Sequence, residues 1–587
     1  MNDYGKEYER WLSADFTDEA TKAELKAIKD EKEIEDRFYK SLAFGTGGLR
    51  GVMGAGTNRM NAYTVGKASQ GLADFLVKTV NEPSAVIAYD SRNRSEEFAR
   101  LTATVFAANG VKTYLFSSLR PTPELSFAVR YLKASAGVVI TASHNPPEYN
   151  GYKVYFSDGG QIVPPYDKLI IDSVNAVPDF SSVKKNDFSE ALKSGAITLI
   201  DKETDDAFIG AIKSLTLSKD ALKSEADKIK IVYTPLCGAG RVPVLRVLKE
   251  LGFTEVYVVK EQEEPNGDFP TLKYPNPEDP AAFTLALKLA KEKNADIILA
   301  TDPDSDRLGV YFRKENGEYL PLTGNASGTF ILEYMLARKK EKGLLPENPQ
   351  DAAVVTTIVS TDMAKAVCKS YGVTLIEVLT GFKYIGEKIK SFEDAKRENG
   401  GRLSATAGAY EYIFGFEESY GSLVGDYARD KDAVGAAAKL CEAAAYYKSQ
   451  GKSLSSALEE LYAKYGYYRE GLHTETLKGA DGAKRIKELM KELRENPKKS
   501  FGGAKILKIR DYATGVITDT ATGKTEITDL PASDVLYYEL EDGWCCARPS
   551  GTEPKIKFYY GVKADSLEEA DKKLEAIKND LLAAVNA

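Results

Sequence analysis

The stretch "SAVIAYDSRNRSEEFARLTATVFAANGVKTYLF", Ser84–Phe116, contains the pattern that decides the fold. It begins with an apolar run of strand length, "SAVIAYD", and ends with a second one, "VKTYLF". The segment between them is amphipathic, with a capping-type start at Ser95 and a glycine stop at Gly110. A strand, a helix and a strand in this order predict a βαβ unit with parallel strands.

The same alternation recurs further along the chain. Other short apolar runs are "GVVITAS", "KIKIVYT", "TEVYVVK", "NADIILATD", "AAVVTTIVST", "VTLIEVLTG" and "EYIFGFEES". From about Gly466 the pattern changes, because charged helical segments are mixed with hairpin-like strands such as "DVLYYELEDGWCCARPSG". We therefore predict a series of α/β domains followed by a small α+β domain.

Chain length supports several domains, since 587 residues exceed what one hydrophobic core normally organises. Changes in composition place boundaries near residues 205, 325 and 460. The predicted domains are 1–205, 206–325, 326–460 and 461–587.

Composition excludes several function classes. A net charge of −8 argues against a dedicated nucleic-acid binder, which would usually be basic. The polar start of the chain has no apolar h-region, and no run of 18 apolar residues occurs, so we expect neither a signal peptide nor a membrane span. The five cysteines contain no Cys-x-x-Cys pair, which predicts a cytoplasmic protein without disulfides or a zinc site.

A serine follows one of the apolar runs. In "TASHNPPEYNGYKVY", which starts at Thr141, Ser143 stands at the tip of a predicted strand, where α/β sheets bind ligands. His144 comes next, but neighbouring side chains of an extended segment point to opposite sides, so we do not expect His144 to activate Ser143. A serine that carries a phosphoryl group fits this loop if a metal ion and cations lie close. A simple proline turn is the alternative.

Three acidic residues follow another run. In "ATDPDSDRLGV", Asp302, Asp304 and Asp306 alternate, which places three carboxylates on one side of an extended loop. Their repulsion favours a cation, and oxygen ligands suit Mg²⁺ or Ca²⁺. An EF-hand is excluded because Arg307 takes the position that requires glycine. A solvated acidic turn is the alternative.

A third polar loop is "ARPSGTEPKIKFYY", in the α+β region. It combines a guanidinium, two hydroxyls and a free backbone, which together suit a phosphate group. A plain hairpin turn is the alternative. The residues concerned are Arg548, Ser550, Gly551 and Thr552.

Two further loops carry weaker signals. "FGFEESYG", Phe414–Gly421, could bind sugar hydroxyls or be an exposed acidic turn. "FGTGGLRGVMGAGTNRMN", Phe44–Asn61, surrounds Arg50 with glycines and could hold it close to an anion, or be a flexible loop. It lacks the Gly-x-Gly-x-x-Gly order of a dinucleotide site.

These five loops, in this order, resemble the α-D-phosphohexomutase superfamily, and in particular its long bacterial phosphoglucomutase branch. The resemblance covers nearly the whole chain, and the pairing of "TASHNPPEYNGYKVY" with "TDPDSDR" is its most specific part. It implies three similar α/β domains with mixed sheets and a C-terminal α+β domain, arranged around a central cleft. One departure is Tyr420, where many members have a small residue.

The resemblance also implies roles for individual residues. Ser143 would be the phosphoserine, and its phosphate would hold Mg²⁺ together with the three aspartates. Lys153 would transfer protons, its pKa lowered by nearby cations. His144, Arg50 and Arg307 would lie near the phosphoserine. The implied substrate-binding residues are Thr380, Gly381, Phe382, Lys383, Glu417, Ser419, Arg548, Ser550, Gly551 and Thr552.

The implied activity is that of a phosphoglucomutase, with a small sugar phosphate as substrate and glucose 1,6-bisphosphate as intermediate and activator. Phosphopentomutase and phosphomannomutase activities are alternatives within the superfamily. A Mg²⁺-dependent sugar phosphatase and a sugar-phosphate-binding regulator are alternatives from other classes. Monomer and dimer both remain open.

Overall fold

The computed structural model describes residues 3–45, 47–477, 479–550 and 555–586. The chain divides into two compact units, and each unit is assembled from segments that are separate in sequence. The first unit contains the residues up to Gly324 together with Phe382–Gly415 and Ser419–Leu454; the second contains Asn325–Gly381, Phe416–Glu418 and the residues from Ser455 onward.

A six-stranded mixed sheet organises the first 200 residues. Its order is β1-β5-β4-β2-β3-β6, in which β4, β2, β3 and β6 are parallel to one another. Strand β5 pairs antiparallel with β4, and β1 pairs antiparallel with β5. The elements are α1 (Asp3–Ser13), α2 (Glu19–Ala27), α3 (Glu31–Phe38), β1 (Gly48–Val52), α4 (Ala62–Thr79), β2 (Ser84–Tyr89), α5 (Ser95–Ala108), β3 (Lys112–Phe116), α6 (Thr122–Tyr131), β4 (Ala136–Ile140), β5 (Tyr149–Phe156), α7 (Tyr166–Ala176), α8 (Phe188–Lys193) and β6 (Ile197–Ile200).

The start of α5 differs from the sequence-based expectation by one residue. The N-cap is Arg94, which makes no side-chain capping bond, and Ser95 is already helical. The Ser95 hydroxyl instead donates to Asp90 Oδ1 at 2.7 Å. The serine therefore ties the helix to the loop that follows β2.

A five-stranded mixed sheet follows the same plan. Its order is β11-β10-β9-β7-β8, with β9, β7 and β8 parallel and β10 and β11 added antiparallel at one edge. The elements are α9 (Lys202–Ser214), α10 (Lys219–Glu225), β7 (Ile231–Thr234), α11 (Arg241–Glu250), β8 (Val256–Val258), α12 (Thr284–Lys293), β9 (Ile297–Thr301), β10 (Leu308–Arg313) and β11 (Tyr319–Leu322).

The next segment is again α/β, with β12 and β13 as a parallel pair. Strand β12 is buried along its whole length, as its continuous apolar run predicts. The elements are α13 (Gly324–Glu341), β12 (Ala352–Thr357), α14 (Met363–Tyr371), β13 (Thr374–Val378), α15 (Phe382–Glu398), β14 (Glu411–Phe416), β15 (Ser422–Val424), α16 (Ala433–Ser449) and α17 (Leu454–Tyr465).

An antiparallel sheet with two helices forms the C-terminal part. Its main order is β16-β23-β22-β21-β18-β19-β20, and β17 pairs with β18. The elements are β16 (Tyr467–Thr476), α18 (Gly479–Glu495), β17 (Ser500–Phe501), β18 (Ala504–Asp511), β19 (Val516–Asp519), β20 (Thr525–Ile527), β21 (Leu536–Leu540), β22 (Gly543–Pro549), β23 (Lys555–Ala564) and α19 (Leu567–Asn586).

The predicted fold class is confirmed, since α/β segments with mixed sheets precede an α+β segment. Among the described residues, no helix is both long and apolar enough to cross a bilayer. All five cysteines are buried and carry free thiols. The predicted domain boundaries stay a prediction.

Candidate active site

The serine loop begins where β4 ends. Ser143 is buried, with 3 % of its surface exposed, and its backbone adopts a left-handed conformation with φ of +52°. Its N–H donates to Thr141 Oγ1 at 2.8 Å, and its hydroxyl donates to Asp302 Oδ2 at 2.7 Å. The left-handed backbone conformation is costly for an L-amino acid. It persists only where the surrounding structure enforces it, as at many functional sites.

The acidic loop begins where β9 ends and supplies the partner of that serine. Asp302, Asp304 and Asp306 are buried, and one oxygen from each lies within 4.8 Å of the others. Asp302 Oδ1 accepts the backbone N–H groups of Asp306 and Arg307 at 3.1 and 3.0 Å, which closes the loop into a tight turn. Burial, and then the other two carboxylates, raise the pKa of Asp302 well above its ordinary value.

The donor set of this loop suits a hard divalent cation. Within the described part of the chain, Asp304 Oδ1 and Asp306 Oδ1 are buried and receive no hydrogen bond. Burying a carboxylate oxygen without a hydrogen bond costs free energy, and a bound divalent cation would offset that cost. The three aspartates therefore fit a metal site that the Ser143 side chain adjoins.

Two lysines balance the negative charge. Lys153 on β5 donates to Asp304 Oδ2 at 2.7 Å and to Asp306 Oδ2 at 3.4 Å, while Lys431 Nζ lies 3.0 Å from Asp306 Oδ2. Burial alone would lower the pKa of Lys153, but these two carboxylates outweigh it and raise the pKa. The expectation of a lowered Lys153 pKa was therefore wrong, because its nearest charges are anions.

His144 contacts the serine directly, contrary to the argument from strand alternation. Its Nδ1 lies 3.3 Å from Ser143 Oγ. Alternation does not apply because the left-handed backbone of Ser143 interrupts the extended chain. Burial, followed by the nearby Arg307 and Arg50, lowers the pKa of His144 well below its ordinary value. The imidazole is therefore neutral near pH 7.

Both predicted arginines lie in the same region. Arg50 on β1 sits opposite Gly151 of β5, and its guanidinium donates to Asn145 Oδ1 in the serine loop at 3.2 Å. Arg307 pairs with Glu278, and its Nε lies 3.9 Å from Asp306 Oδ1. The structure thus brings together Ser143, His144, Lys153, Arg50, Arg307, Asp302, Asp304 and Asp306.

The predicted sugar-binding residues belong to both compact units, so each is described within its own unit. Gly381 has φ of +122°, a region that favours glycine, and it directly precedes α15. The Thr380 hydroxyl is buried and has no hydrogen-bond partner among the described residues. Burial lowers the pKa of Lys383 in the first turn of α15. Glu417 is buried, and Ser419 lies between β14 and β15.

The predicted phosphate cradle is described only in part. Arg548 lies on β22 opposite Lys557 of β23. The backbone N–H of Ser550 donates to the Lys555 carbonyl at 2.8 Å, which closes the hairpin. Gly551 and Thr552 lie outside the described residues.

Sequence reasoning missed several residues of the site. Lys431 follows a buried arginine in "ARDKDAV", where a cluster of charges directly before a buried helix was the available signal. Thr122, at the first turn of α6, donates its hydroxyl to Asp304 Oδ2 at 2.9 Å. Asp90 and Arg92 follow β2, so the strand-end rule that identified Ser143 would also have identified them.

Comparisons with known proteins show the family to which the chain belongs. Three phosphoglucomutase/phosphomannomutase domain models match the chain: α/β/α domain I at residues 41–179, domain II at 206–317 and domain III at 323–465. A phosphoglucomutase of Staphylococcus saprophyticus subsp. saprophyticus is 35 % identical over 546 residues, covering 93 % of this chain and 95 % of that protein. A phosphoglucomutase of Staphylococcus aureus (strain MRSA252) is 34 % identical over 556 residues, covering 94 % and 95 %.

Solved structures show the same fold. A phosphoglucomutase/phosphomannomutase family protein from Burkholderia thailandensis superposes with a TM-score of 0.61 at 20 % identity, covering 92 % of this chain and 96 % of that one. The phosphoglucomutase pp63/parafusin from Paramecium, in an open form, superposes with a TM-score of 0.64 at 16 % identity, covering 93 % and 95 %. The serine and aspartate loops thus lie within matched domains I and II, and the chain belongs to the phosphoglucomutase/phosphomannomutase family of phosphohexomutases.

Proposed function

We propose that this chain is a phosphoglucomutase that interconverts glucose 1-phosphate and glucose 6-phosphate through a phosphoserine at Ser143 and a glucose 1,6-bisphosphate intermediate. The observation that carries the proposal is the 2.7 Å contact between Ser143 Oγ and Asp302 Oδ2. It places a nucleophilic hydroxyl beside a carboxylate cluster that suits a cation. The curated phosphoglucomutases that match nearly the whole chain support the same activity.

Mg²⁺ is the metal that we propose for the acidic loop. Asp302, Asp304 and Asp306 would hold it with oxygen ligands, together with an oxygen of the phosphate on Ser143. When bound, such an ion neutralises charge on the phosphoryl oxygens and orients the group.

In each half-reaction the phosphoryl group moves between Ser143 Oγ and a sugar hydroxyl oxygen. As the Oγ–P bond breaks, the sugar O–P bond forms, the sugar hydroxyl loses its proton and Ser143 Oγ gains one. The second half reverses these changes with the other sugar oxygen, after the bisphosphate has turned over in the site. Little covalent chemistry is required of the protein, so positioning and charge neutralisation dominate catalysis.

The residues around Ser143 supply both requirements. Arg50 and Arg307 add positive charge beside the serine loop and the acidic loop. Lys153 is the proposed proton-transfer residue, and the two carboxylates that it contacts keep it charged and therefore able to donate. The neutral His144, 3.3 Å from Ser143 Oγ, is a second group that can hold a proton there.

The remaining predicted residues are proposed to bind the sugar and the phosphate that does not react. Sugar hydroxyls recur around a pyranose ring, so carboxylate and hydroxyl partners can accept it in two orientations. A bidentate guanidinium with hydroxyl and N–H donors suits the distal phosphate. The proposed sugar-binding residues are Thr380, Gly381, Lys383, Glu417 and Ser419, and the proposed phosphate-binding residues are Arg548, Ser550, Gly551 and Thr552.

Replacing the serine hydroxyl tests the proposal. The wild-type protein, incubated with glucose 1,6-bisphosphate and Mg²⁺, should gain about 80 Da by intact-mass measurement, because phosphorylation is a covalent addition. Ser143→Ala should show no gain and should lose essentially all interconversion of the two glucose phosphates. Ser181→Ala, at an exposed serine in a surface turn, is the matched control and should behave like the wild type.

The outcomes separate the alternatives. Retained mutase activity in Ser143→Ala would refute the phosphoserine mechanism. Steady release of inorganic phosphate by the wild type would favour a sugar phosphatase. Rates on glucose 1-phosphate, mannose 1-phosphate and ribose 1-phosphate, measured side by side, decide the preferred sugar.

A further inference from the structure

A buried arginine lies directly behind the serine loop. Arg92 follows β2, and its side chain is fully buried. Strand β2 pairs with β4 in parallel, so the loops that follow the two strands emerge side by side at the same sheet edge. No part of the mechanism above uses this residue.

The Arg92 guanidinium binds the serine loop through four backbone carbonyls. Its Nη1 donates to the carbonyls of Pro146 and Tyr149 at 2.8 and 3.0 Å. Its Nη2 donates to the carbonyl of Ser143 at 2.5 Å and to that of Asn145. Four acceptors converge on one planar, forked cation, an arrangement that a lysine ammonium with three donors cannot reproduce.

Asp90 holds both the arginine and the other side of Ser143. Asp90 Oδ2 lies 3.4 Å from Arg92 Nε and accepts the Thr141 hydroxyl at 2.6 Å. The Thr141 hydroxyl oxygen in turn accepts the N–H of Ser143 at 2.8 Å. The peptide groups on both sides of Ser143 are therefore anchored to one buried ion pair.

The arginine is held from outside by a residue of the following α/β segment. The Phe269 ring lies 5.2 Å from Arg92 Cζ, in the geometry of a cation–π contact, and Phe269 is buried. Next to this contact, Asn93 Nδ2 donates to Asp268 Oδ1 at 2.7 Å. The guanidinium is thus enclosed between the carbonyls of the serine loop and an aromatic face.

We propose that Arg92 is a positioning residue for phosphoryl transfer, which holds Ser143 in its left-handed conformation by binding the carbonyls of its loop. The inference rests on the proposed function, in which Ser143 carries the phosphoryl group. Arg92 contacts neither the Ser143 hydroxyl nor the acidic loop by hydrogen bond among the described residues, so its effect passes through the backbone. In-line transfer depends steeply on the position of the serine oxygen.

Arg92→Lys tests this role while keeping the positive charge. We expect kcat to fall about 100-fold, the effect of a displacement of roughly 1 Å at a reacting atom, while KM for glucose 1-phosphate stays near the wild-type value. Phosphorylation of Ser143 by glucose 1,6-bisphosphate, followed over time by intact mass, should slow by a similar factor. Arg59→Lys is the matched control, because Arg59 is also buried and paired, with Asp36, but does not contact the loop.

A purely structural role predicts a different result. Arg92→Lys would then lower the melting temperature and leave kcat unchanged in the folded protein, and that outcome overturns the proposal. If Arg92→Lys does not fold, Phe269→Leu decides, because it removes the aromatic support and leaves every hydrogen bond of the arginine possible. A fall in kcat at constant KM supports the proposal, and an unchanged kcat overturns it.

Failure of the proposed function would look different. In that case the wild type itself would carry no phosphate on Ser143, and Ser143→Ala would retain activity. A wild type that is phosphorylated normally, together with an Arg92→Lys variant of unchanged kcat, would overturn only the role of Arg92.

Discussion

At the scale of single residues, three left-handed positions shape the loops around the site. Ser143, Ser305 and Tyr420 have φ of +52°, +51° and +69°, although none is a glycine. Each costs roughly 1–2 kcal/mol relative to an ordinary conformation. Local contacts hold them, as when the Tyr420 carbonyl accepts the N–H of Leu308 at 3.0 Å. Part of the backbone strain of the chain therefore lies beside the candidate chemistry, as is common at functional sites.

Tyr420 is the residue at which the chain departs from the resemblance. Its side chain is half-buried. Burial raises the pKa of its hydroxyl above the ordinary value. The ring therefore stays neutral and contributes shape to the loop instead of charge.

Removing one aspartate should weaken metal binding. Asp306→Asn takes one negative charge from the triad and leaves a poorer ligand for Mg²⁺, so mutase activity should fall by about 100-fold or more and the Mg²⁺ concentration for half-maximal activity should rise. Calorimetric titration with Mg²⁺ provides the readout independent of activity. Asp172→Asn, at an exposed position, is the control. An Asp306→Asn variant with wild-type Mg²⁺ affinity would show that the triad does not bind the ion.

At the scale of elements, strand ends and helix starts carry the polar residues of the site. Strands β4 and β9 lead into the serine and acidic loops, while β5 presents Lys153 and Tyr155 on one face. Tyr155 donates its hydroxyl to Asp430 Oδ2 at 2.7 Å, and Lys431 Nζ lies 3.3 Å from Asp430 Oδ1. Strand β5 thus contacts the acidic loop directly through Lys153, and through Tyr155 it contacts Asp430, the partner of Lys431.

Helix α16 begins at a titratable cap. Asp432 accepts the N–H of Val434 at 2.7 Å and the hydroxyl of Tyr427. Burial raises the pKa of Asp432 from 3.8 to about 6. Because the folded state binds this proton more tightly than the unfolded state, the stabilisation is fully present below about pH 4 and is lost as the pH rises through 6.

Asp432→Asn should remove this pH dependence and keep the cap. When the pH rises from 5 to 8, the wild type should lose ~1.4 kcal/mol of stability relative to the variant. This is because pH 5 lies one unit below the folded-state pKa of Asp432, and one unit corresponds to that free energy. Melting temperatures of both proteins at the two pH values measure the difference. The melting temperature of the variant, relative to that of the wild type, should be higher at pH 8 than at pH 5. An equal difference in melting temperature at both pH values would contradict the assigned pKa.

At the scale of the whole molecule, contacts distant in sequence hold the first unit together. Glu442 of α16 accepts the N–H groups of Leu217 and Ser218 at 2.5 and 2.6 Å, more than 220 positions away in sequence. Lys439 donates to Glu442 Oε2 and to the Leu215 carbonyl, both at 2.6 Å. Both charged side chains are almost fully buried, so each requires the other.

Breaking this pair from one side should be strongly destabilising. Glu442→Ala leaves the Lys439 charge and two backbone N–H groups without this acceptor, a loss of about 3–5 kcal/mol. Calorimetry should show a much lower melting temperature, with normal mutase activity well below it. Glu488→Ala removes a solvent-exposed pair with Lys484, which is worth about 0–1 kcal/mol, and serves as the control. Equal falls in melting temperature in the two variants would show that the buried pair of Glu442 and Lys439 does not stabilise the first unit.

The linear pattern of the chain was enough for the fold class and for naming the serine and acidic loops that meet in the candidate site. Apolar runs of strand length show where strands end, and in α/β sheets ligands bind at those ends, so Ser143 and the three aspartates could be named in advance. The spacing of the aspartates also predicts a hard cation, because three carboxylates so close in sequence repel one another unless a cation neutralises them.

Only the tertiary structure decided how these groups act on one another. The left-handed Ser143 turns His144 toward its hydroxyl, the carboxylates around Lys153 raise its pKa, and Arg92 gathers four carbonyls of one loop. The effects on Lys153 and of Arg92 depend on partners that come from other strands, and the contact of His144 depends on a backbone conformation that such partners hold in place. Local sequence does not contain that information, because distances between segments are set only when the sheets have formed.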